Sequence, residues 1–226
     1  MKEFDYTSGT KNFTSPVFVV NKMFTPEECD NIIKEYDNDS LRVAEHSSYK
    51  RELVSKPDIR RSLVSFIADP EIDTRIFHHM HMANYHLCCR YEIHGAENTQ
   101  FTKYVGEEKG HFTWHQDGQL NHDYIRVPTY GEITNIGQTS HANLGGSVRK
   151  ISVSIMLNDN FEGGDMQFRY IKHKDGGDYC VDQIDTFVPK KGQGIFFSSD
   201  LWHRVTPVTS GDRYSLVKWF AGPPIK

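Results

Sequence analysis

Between positions 111 and 117 the sequence reads HFTWHQD, so His115 and Asp117 stand two residues apart. In an extended strand alternate side chains share a face, about 7 Å apart along the backbone, and an imidazole and a carboxylate so placed can converge on one ion. A second imidazole is offered by His203 in LWHRVTP, shortly after the apolar run GIFF at 194–197. Two imidazoles and a carboxylate gathered on one side of a metal leave its other positions open. That arrangement is associated with non-haem Fe(II) oxygenases, and it also serves hydrolytic zinc sites. With twelve histidines in the chain, an isolated H-x-D is more often a surface pair than a ligand set. The triad alone therefore does not choose between iron, zinc and no metal.

Ten residues after His203 the strand RYSLVKW begins at Arg213, and Ser210-Gly211-Asp212 just before it reads as a hairpin turn. Arg213 and Ser215 share one face of that strand, which the hairpin is expected to bring beside the strand of His203. A buried guanidinium needs a partner, and its planar fork matches a carboxylate, with a serine hydroxyl as a further donor. The distal carboxylate of 2-oxoglutarate suits such a pair. The plainer reading has Arg213 capping the turn or pairing with Asp212; the joint occurrence of H-x-D, His and R-x-S in this order weighs against it.

Elements that could position these residues follow from pattern. Thr25-Pro26-Glu27-Glu28 predicts a helix start, with Thr25 as N-cap, Pro26 at N1 and Glu28 closing a capping box. Cys29, Ile32, Ile33 and Tyr36 then form an apolar face. A second helix is predicted after Asp69-Pro70-Glu71, with Ile72, Ile76, Met80, Ala83 and Leu87 at helical spacing. From about residue 88 short aromatic and β-branched runs are broken by Gly, Asp and Asn, which argues a sandwich or barrel. The fold class is α+β: a double-stranded β-helix, or jelly roll, with N-terminal helices packed on the major sheet. One domain spans 1–226, with helical support at about 16–87 and a jelly-roll core at about 88–221. The stretch 119–149 lacks periodicity and is expected to be a substrate lid or disordered.

The chain has 226 residues, 37% hydrophobic and 25% charged, as suits a soluble protein, with no apolar run of membrane-spanning length. The first sixteen residues lack a secretory apolar core, so a cytoplasmic location is expected. Cys29, Cys88, Cys89 and Cys180 show no C-x-x-C spacing and read as reduced thiols. A net charge of −4 and scattered basic pairs disfavour nucleic acid as a partner. His78, His79, His81 and His86 read as mostly helix surface. His111 shares the face of His115 by alternation and could sit at a pocket mouth or at a polar strand end, while Phe112 and Trp114 are expected to point into the helix layer.

Taken together, the segments QFTKYVGEEKGHFTWHQDG, KISVSIMLNDNFEGGDMQF and PKKGQGIFFSSDLWHRVTPVTSGDRYSLVKWF resemble the prolyl 4-hydroxylase-like branch of the Fe(II)/2-oxoglutarate dioxygenases, over roughly residues 16–221. The resemblance implies Fe(II) on His115, Asp117 and His203, and 2-oxoglutarate held by Arg213, Ser215 and Tyr104. Trp219, Met156 and Gln100 would line the pocket, and Gly163-Gly164 would turn between sandwich strands. It further implies O2 as co-substrate, succinate and CO2 as products, hydroxylation of an unactivated C–H bond, and ascorbate as an auxiliary. Met156 stands where some relatives have a Tyr that helps hold the distal carboxylate, which leaves Ser215 as the partner of Arg213. Many procollagen-type relatives carry Lys in place of Arg213, so a collagen-like substrate does not carry over. A prolyl residue in a peptide or protein is the first substrate choice, ahead of a free amino acid or other small molecule and of a nucleobase. The reading from another class is a metal-binding jelly roll without oxygenase activity, or a zinc hydrolase.

Overall fold

The computed structural model describes residues 6–8, 16–44, 46–47, 53–54, 57–87, 89–120, 144–173 and 180–225. The elements run β1 (Tyr6–Ser8), β2 (Val17–Val20), α1 (Pro26–Tyr36), β3 (Arg42–Val43), β4 (His46–Ser47), β5 (Leu53–Val54), β6 (Arg60–Arg61), β7 (Leu63–Ile67) and α2 (Pro70–His86). There follow β8 (Gly95–Ala96), β9 (Thr99–Val105), β10 (His111–His115), β11 (Val148–Met156), β12 (Glu162–Gly163), β13 (Met166–His173) and β14 (Cys180–Phe187). The last are β15 (Gly194–Ser198), β16 (Trp202–Val205), β17 (Val208–Ser210) and β18 (Asp212–Gly222).

Both helices start where the sequence signals them. Thr25 Oγ1 accepts from the Glu28 N–H, and the Glu28 carboxylate accepts from the Thr25 N–H, closing the capping box. Asp69 accepts from the N–H groups of Glu71 and Ile72 ahead of Pro70. Ile72, Ile76, Met80 and Ala83 from α2 join Phe18, Phe101, Ile151, Val153, Ile155, Phe196, Leu216 and Phe220 in the main core, so the helices cover the outer face of the larger sheet.

That sheet has nine strands in the order β1-β2-β15-β11-β18-β9-β7-β3, with β8 also on β18. The smaller sheet runs β14-β13-β16-β10-β6, and the pairings within both are antiparallel. Val17, Met166, Phe168, Ile195 and Phe197, drawn from both sheets, form a second core between them. This is the expected jelly roll, with one amendment. The N-terminal region is not purely helical support, because β2 and β7 extend the larger sheet and β6 borders the smaller one. Such short runs cover the outer strands of the sandwich, whose backbone groups would otherwise lack partners.

Two local expectations are overturned. The turn at Gly211 is not a hairpin between the strands of His203 and Arg213: β16 lies in the smaller sheet and β18 in the larger, between β11 and β9. Gly211, at φ +69°, carries the chain across from β17, which pairs with β12. A Cβ there would lie 2.6 Å from the Asn160 carbonyl oxygen, so the crossing needs glycine. Phe112 and Trp114, in turn, do not enter the helix layer, because β10 belongs to the sheet away from the helices. The β10–β16 register shifts between Phe112↔Val205 and His115↔His203, so strict alternation fails there. Phe112 and His115 end up stacked, ring centres 3.4 Å apart.

Most of the expected lid, residues 121–143, lies outside the described residues, as do Cys88 and the side chain of Cys180. Cys29 and Cys89 are free thiols. No helix among the described residues is long and apolar enough to cross a membrane.

Candidate active site

His115 closes β10, Asp117 follows it in the turn, and His203 lies directly across the ladder from His115. One ligand atom from each of the three falls within 4.8 Å of the others. His115 Nε2 is 3.8 Å from Asp117 Oδ1, and His203 Nε2 is 3.5 Å from Asp117 Oδ2. Both rings are oriented from behind: Nδ1 of His115 donates to the Thr113 carbonyl (2.7 Å) and Nδ1 of His203 to the Leu201 carbonyl (2.8 Å). A carbonyl only accepts, so each Nδ1 carries a proton and each Nε2 is the nitrogen left to face a metal. Phe197 and Phe168 back His203, with ring centres 4.6 and 6.2 Å away.

Charge in this pocket favours a cation. Burial pushes His115 well below the usual histidine range, and the neighbouring His203 adds to the effect. Burial alone would raise Asp117, but His203, His115, Arg149 and the Ser152 hydroxyl outweigh it and hold the carboxyl low. Two imidazoles oriented through Nδ1 and one carboxylate suit a divalent metal with room for exogenous ligands.

Arg213 faces the same interior from the opposite sheet and is 1% exposed. Its Nε donates to the Gly164 carbonyl (3.0 Å) and its Nη1 to Ser215 Oγ (3.1 Å). Its Nη2 is buried without a hydrogen-bond partner. Burial pulls the guanidinium down to about 10, against the raising influence of Tyr104 and Asp165. An unsatisfied buried donor costs roughly 1–3 kcal/mol, more when charged, and a carboxylate is the group that would relieve it. Gly164 and Gly163 both have positive φ, at the turn anticipated for them.

Tyr104, Ser215 and Met156 lie on the pocket side of the larger sheet. Tyr104 pairs with Arg213, and Met156 with Ser215. Gln100 shares that face but donates to Thr102 Oγ1 (2.8 Å). Trp219 is also there, its Nε1 buried without a partner. Of the set-aside histidines, His111 sits at a strand end with its ring nitrogens at the Lys109 and Asp58 carbonyls, off the His115 face. The register shift in β10 is the reason. His78 and His81 are exposed, as expected for helix surface, whereas His79 is fully buried.

Pattern reading missed Arg149 and Glu97. Arg149 grips the 2%-exposed Glu97 through Nε and Nη2, the latter at 2.7 Å, and donates from Nη1 to the Asp117 carbonyl (3.2 Å). Its place at the end of the aperiodic stretch 119–149 gives no signal, and nothing in the local sequence marks Glu97 as its partner. Arg60, in sequence only one of the scattered basic pairs, has its guanidinium carbon 4.8 Å from the centre of the Phe112 ring, on which His115 stacks.

Residues 99–221, more than half of the chain, match the family described as the 2OG-Fe(II) oxygenase superfamily. The chain belongs to that superfamily. It is thus a 2-oxoglutarate-dependent dioxygenase that uses Fe(II), 2-oxoglutarate and O2. The oxygenase shares its fold with a Pseudomonas putida prolyl-4-hydroxylase, at 17% identity over 92% of each chain with a TM-score of 0.58. A viral collagen prolyl hydroxylase from Paramecium Bursaria Chlorella virus-1, solved with 2OG, is similar at 16% identity, covering 92% of this chain and 97% of that one, TM-score 0.58. A Trichoplax adhaerens prolyl hydroxylase, in complex with a hypoxia inducible factor oxygen degradation domain peptide fragment, is similar at 16% identity, covering 92% and 84%, TM-score 0.57. No curated protein matches the sequence.

Proposed function

We propose that this oxygenase hydroxylates a prolyl residue of a peptide or protein, releasing succinate and CO2, and that the chain is a single catalytic domain. His115, Asp117 and His203 hold Fe(II), while Arg213 and Ser215 take the distal carboxylate of 2-oxoglutarate. The observation that carries the co-substrate assignment is the buried Arg213 Nη2 without a partner, facing the interior that the triad shares. Iron, with 2-oxoglutarate and oxygen, supplies the oxidising power when bound. The chain's own part is orientation: carbonyls of Thr113 and Leu201 fix the imidazoles, Ser215 and Gly164 fix the guanidinium, and Tyr104 lies beneath it.

The prolyl assignment is supported by the fold likeness to three prolyl hydroxylases, one of them solved with a peptide bound. Anaerobic reconstitution with Fe(II) and 2-oxoglutarate, then oxygen and a library of proline-containing peptides, tests it by mass spectrometry. Gain of one oxygen on proline, matched by succinate release and abolished by His115→Ala, is the expected result. Oxygen gained by free amino acids or other metabolites and by no peptide would move the substrate to that class. Binding of neither Fe(II) nor 2-oxoglutarate would return the chain to a metal-free or hydrolytic reading.

A further inference from the structure

We infer that Glu97 and Arg149 are a positioning pair that fixes the peptide unit carrying Asp117. The inference rests on the reading of His115, Asp117 and His203 as metal ligands. Asp117 lies just past the end of β10, where no ladder bond holds its backbone. Its N–H and that of Gly118 both donate to the Ser199 carbonyl, at 2.9 and 3.1 Å. Arg149 Nη1 meets the Asp117 carbonyl on the other side of the same unit. The Asp117–Gly118 peptide is thus held at its N–H by the Ser199 carbonyl and at its C=O by the Arg149 guanidinium, leaving the carboxylate little freedom to leave the metal position.

Arg149 is itself immobilised. Its Nε and Nη2 form a fork on the Glu97 carboxylate, and its guanidinium carbon lies 4.2 Å from the centre of the Trp219 indole. Glu97 is tied to the larger sheet by its N–H on the Trp219 carbonyl (2.9 Å). Gly118 leaves space that Arg149 needs, since a Cβ there would come within 3.0 Å of Arg149 Cβ.

A backbone irregularity brings Arg149 to this place. Ile151, Val153 and Ile155 belong to the core beneath the helices, and simple alternation would put Arg149 among them. Between the pairs Arg149↔Ala221 and Ile151↔Phe220 the register slips by one residue, Lys150 being the extra one. That bulge turns Arg149 to the inner face, beside Trp219 and Asp117, as bulges near active sites commonly re-aim a side chain. The pair therefore links the larger sheet to the end of a strand in the smaller one.

Titration of the metal-free full chain with Co(II), read by visible absorption, tests the inference without turnover. Loss of groups that orient metal ligands typically weakens binding about 10–100-fold. Arg149→Gln is expected to raise the Co(II) dissociation constant about tenfold or more, and Arg149→Lys to recover little of it, since an ammonium cannot span both partners. Glu97→Gln, which keeps Arg149, guards against misfolding and is expected to show a smaller loss. The double variant should be no worse than Arg149→Gln, as befits two groups acting as a unit. Unchanged Co(II) affinity with a raised KM for peptide would overturn the inference and make the pair a substrate contact. Full recovery by Lys would overturn it in favour of a simple charge effect. Wild-type Co(II) binding that His115→Ala does not weaken would instead sink the metal-site reading itself.

Discussion

Arg213 and Tyr104 are direct partners across the β18–β9 ladder, and the guanidinium carbon of the one lies 5.2 Å from the ring centre of the other. A π face gives a buried cation part of what water would, yet Nη2 stays without a hydrogen-bond partner. The site is thus set for an anion before one arrives.

Arg213→Met should raise the KM for 2-oxoglutarate about a hundredfold, since two charge-assisted bonds are worth roughly 3 kcal/mol together. Arg213→Lys should fall between, keeping charge but not the fork. Succinate release against 2-oxoglutarate concentration gives both numbers. An unchanged KM in Arg213→Met would remove Arg213 from the co-substrate site.

Gly164→Ala should reach the same site indirectly. The position has φ +63°, and a Cβ would lie 2.8 Å from Arg213 Cδ. Unfolding by urea should show a loss of about 1–2 kcal/mol from the backbone alone, accompanied by a raised KM for 2-oxoglutarate. Gly192→Ala, at φ +78° and against the Phe24 carbonyl, should destabilise without moving that KM.

The link between α2 and the larger sheet should respond unequally to its two ends. Lys218 Nζ donates to Asp73 Oδ1 (2.7 Å) and Thr99 Oγ1 (3.1 Å), with the Lys218 side chain 4% exposed and that of Asp73 35%. Asp73→Ala leaves a buried ammonium without its counter-ion and should cost about 3 kcal/mol. Lys218→Met leaves a half-solvated carboxylate that still accepts from Thr99 (2.6 Å) and should cost less. Equal losses in urea titration would contradict this.

Acid should weaken the fold partly through His79. Burial holds it down to about 4, with His78 and Arg75 adding to the effect. As pH falls below the ordinary 6.5, the unfolded chain binds a proton that the folded chain does not. The contribution is therefore complete above pH 6.5 and disappears as pH falls toward 4. Between pH 6.5 and 5 the metal-free protein should lose roughly 1 kcal/mol more than His79→Leu does, measured by urea midpoints.

The features legible in the sequence are those with short-range causes. Thr25 and Glu28 announce their helix because a capping box is local, and the H-x-D of His115 and Asp117 is local as well. Order along the chain points to His203 and Arg213, but not to the route between them. Ser210-Gly211-Asp212 has the composition of a hairpin, and only the competing partners β11 and β9 send Arg213 into the other sheet. The same limit hides Arg149, misplaces Phe112, and leaves the choice between pocket mouth and strand end for His111 open until the structure shows the strand end. Alternation predicts faces only while register holds, and in β10 and β11 it slips by one residue. Such slips depend on what the neighbouring strand needs, which no short window records.

Because the histidines stand on one sheet and Arg213 on the other, the gap between the layers becomes a ruler. A ligand that reaches the metal position at one end and the guanidinium at the other must match a spacing fixed by side chains of Phe168, Phe197, Met166 and Ile195. On the proposed reading, diacids one methylene shorter or longer than 2-oxoglutarate can satisfy one end only. Enlarging or trimming these spacers, two of which also pack against the His203 ring, should retune which length is accepted.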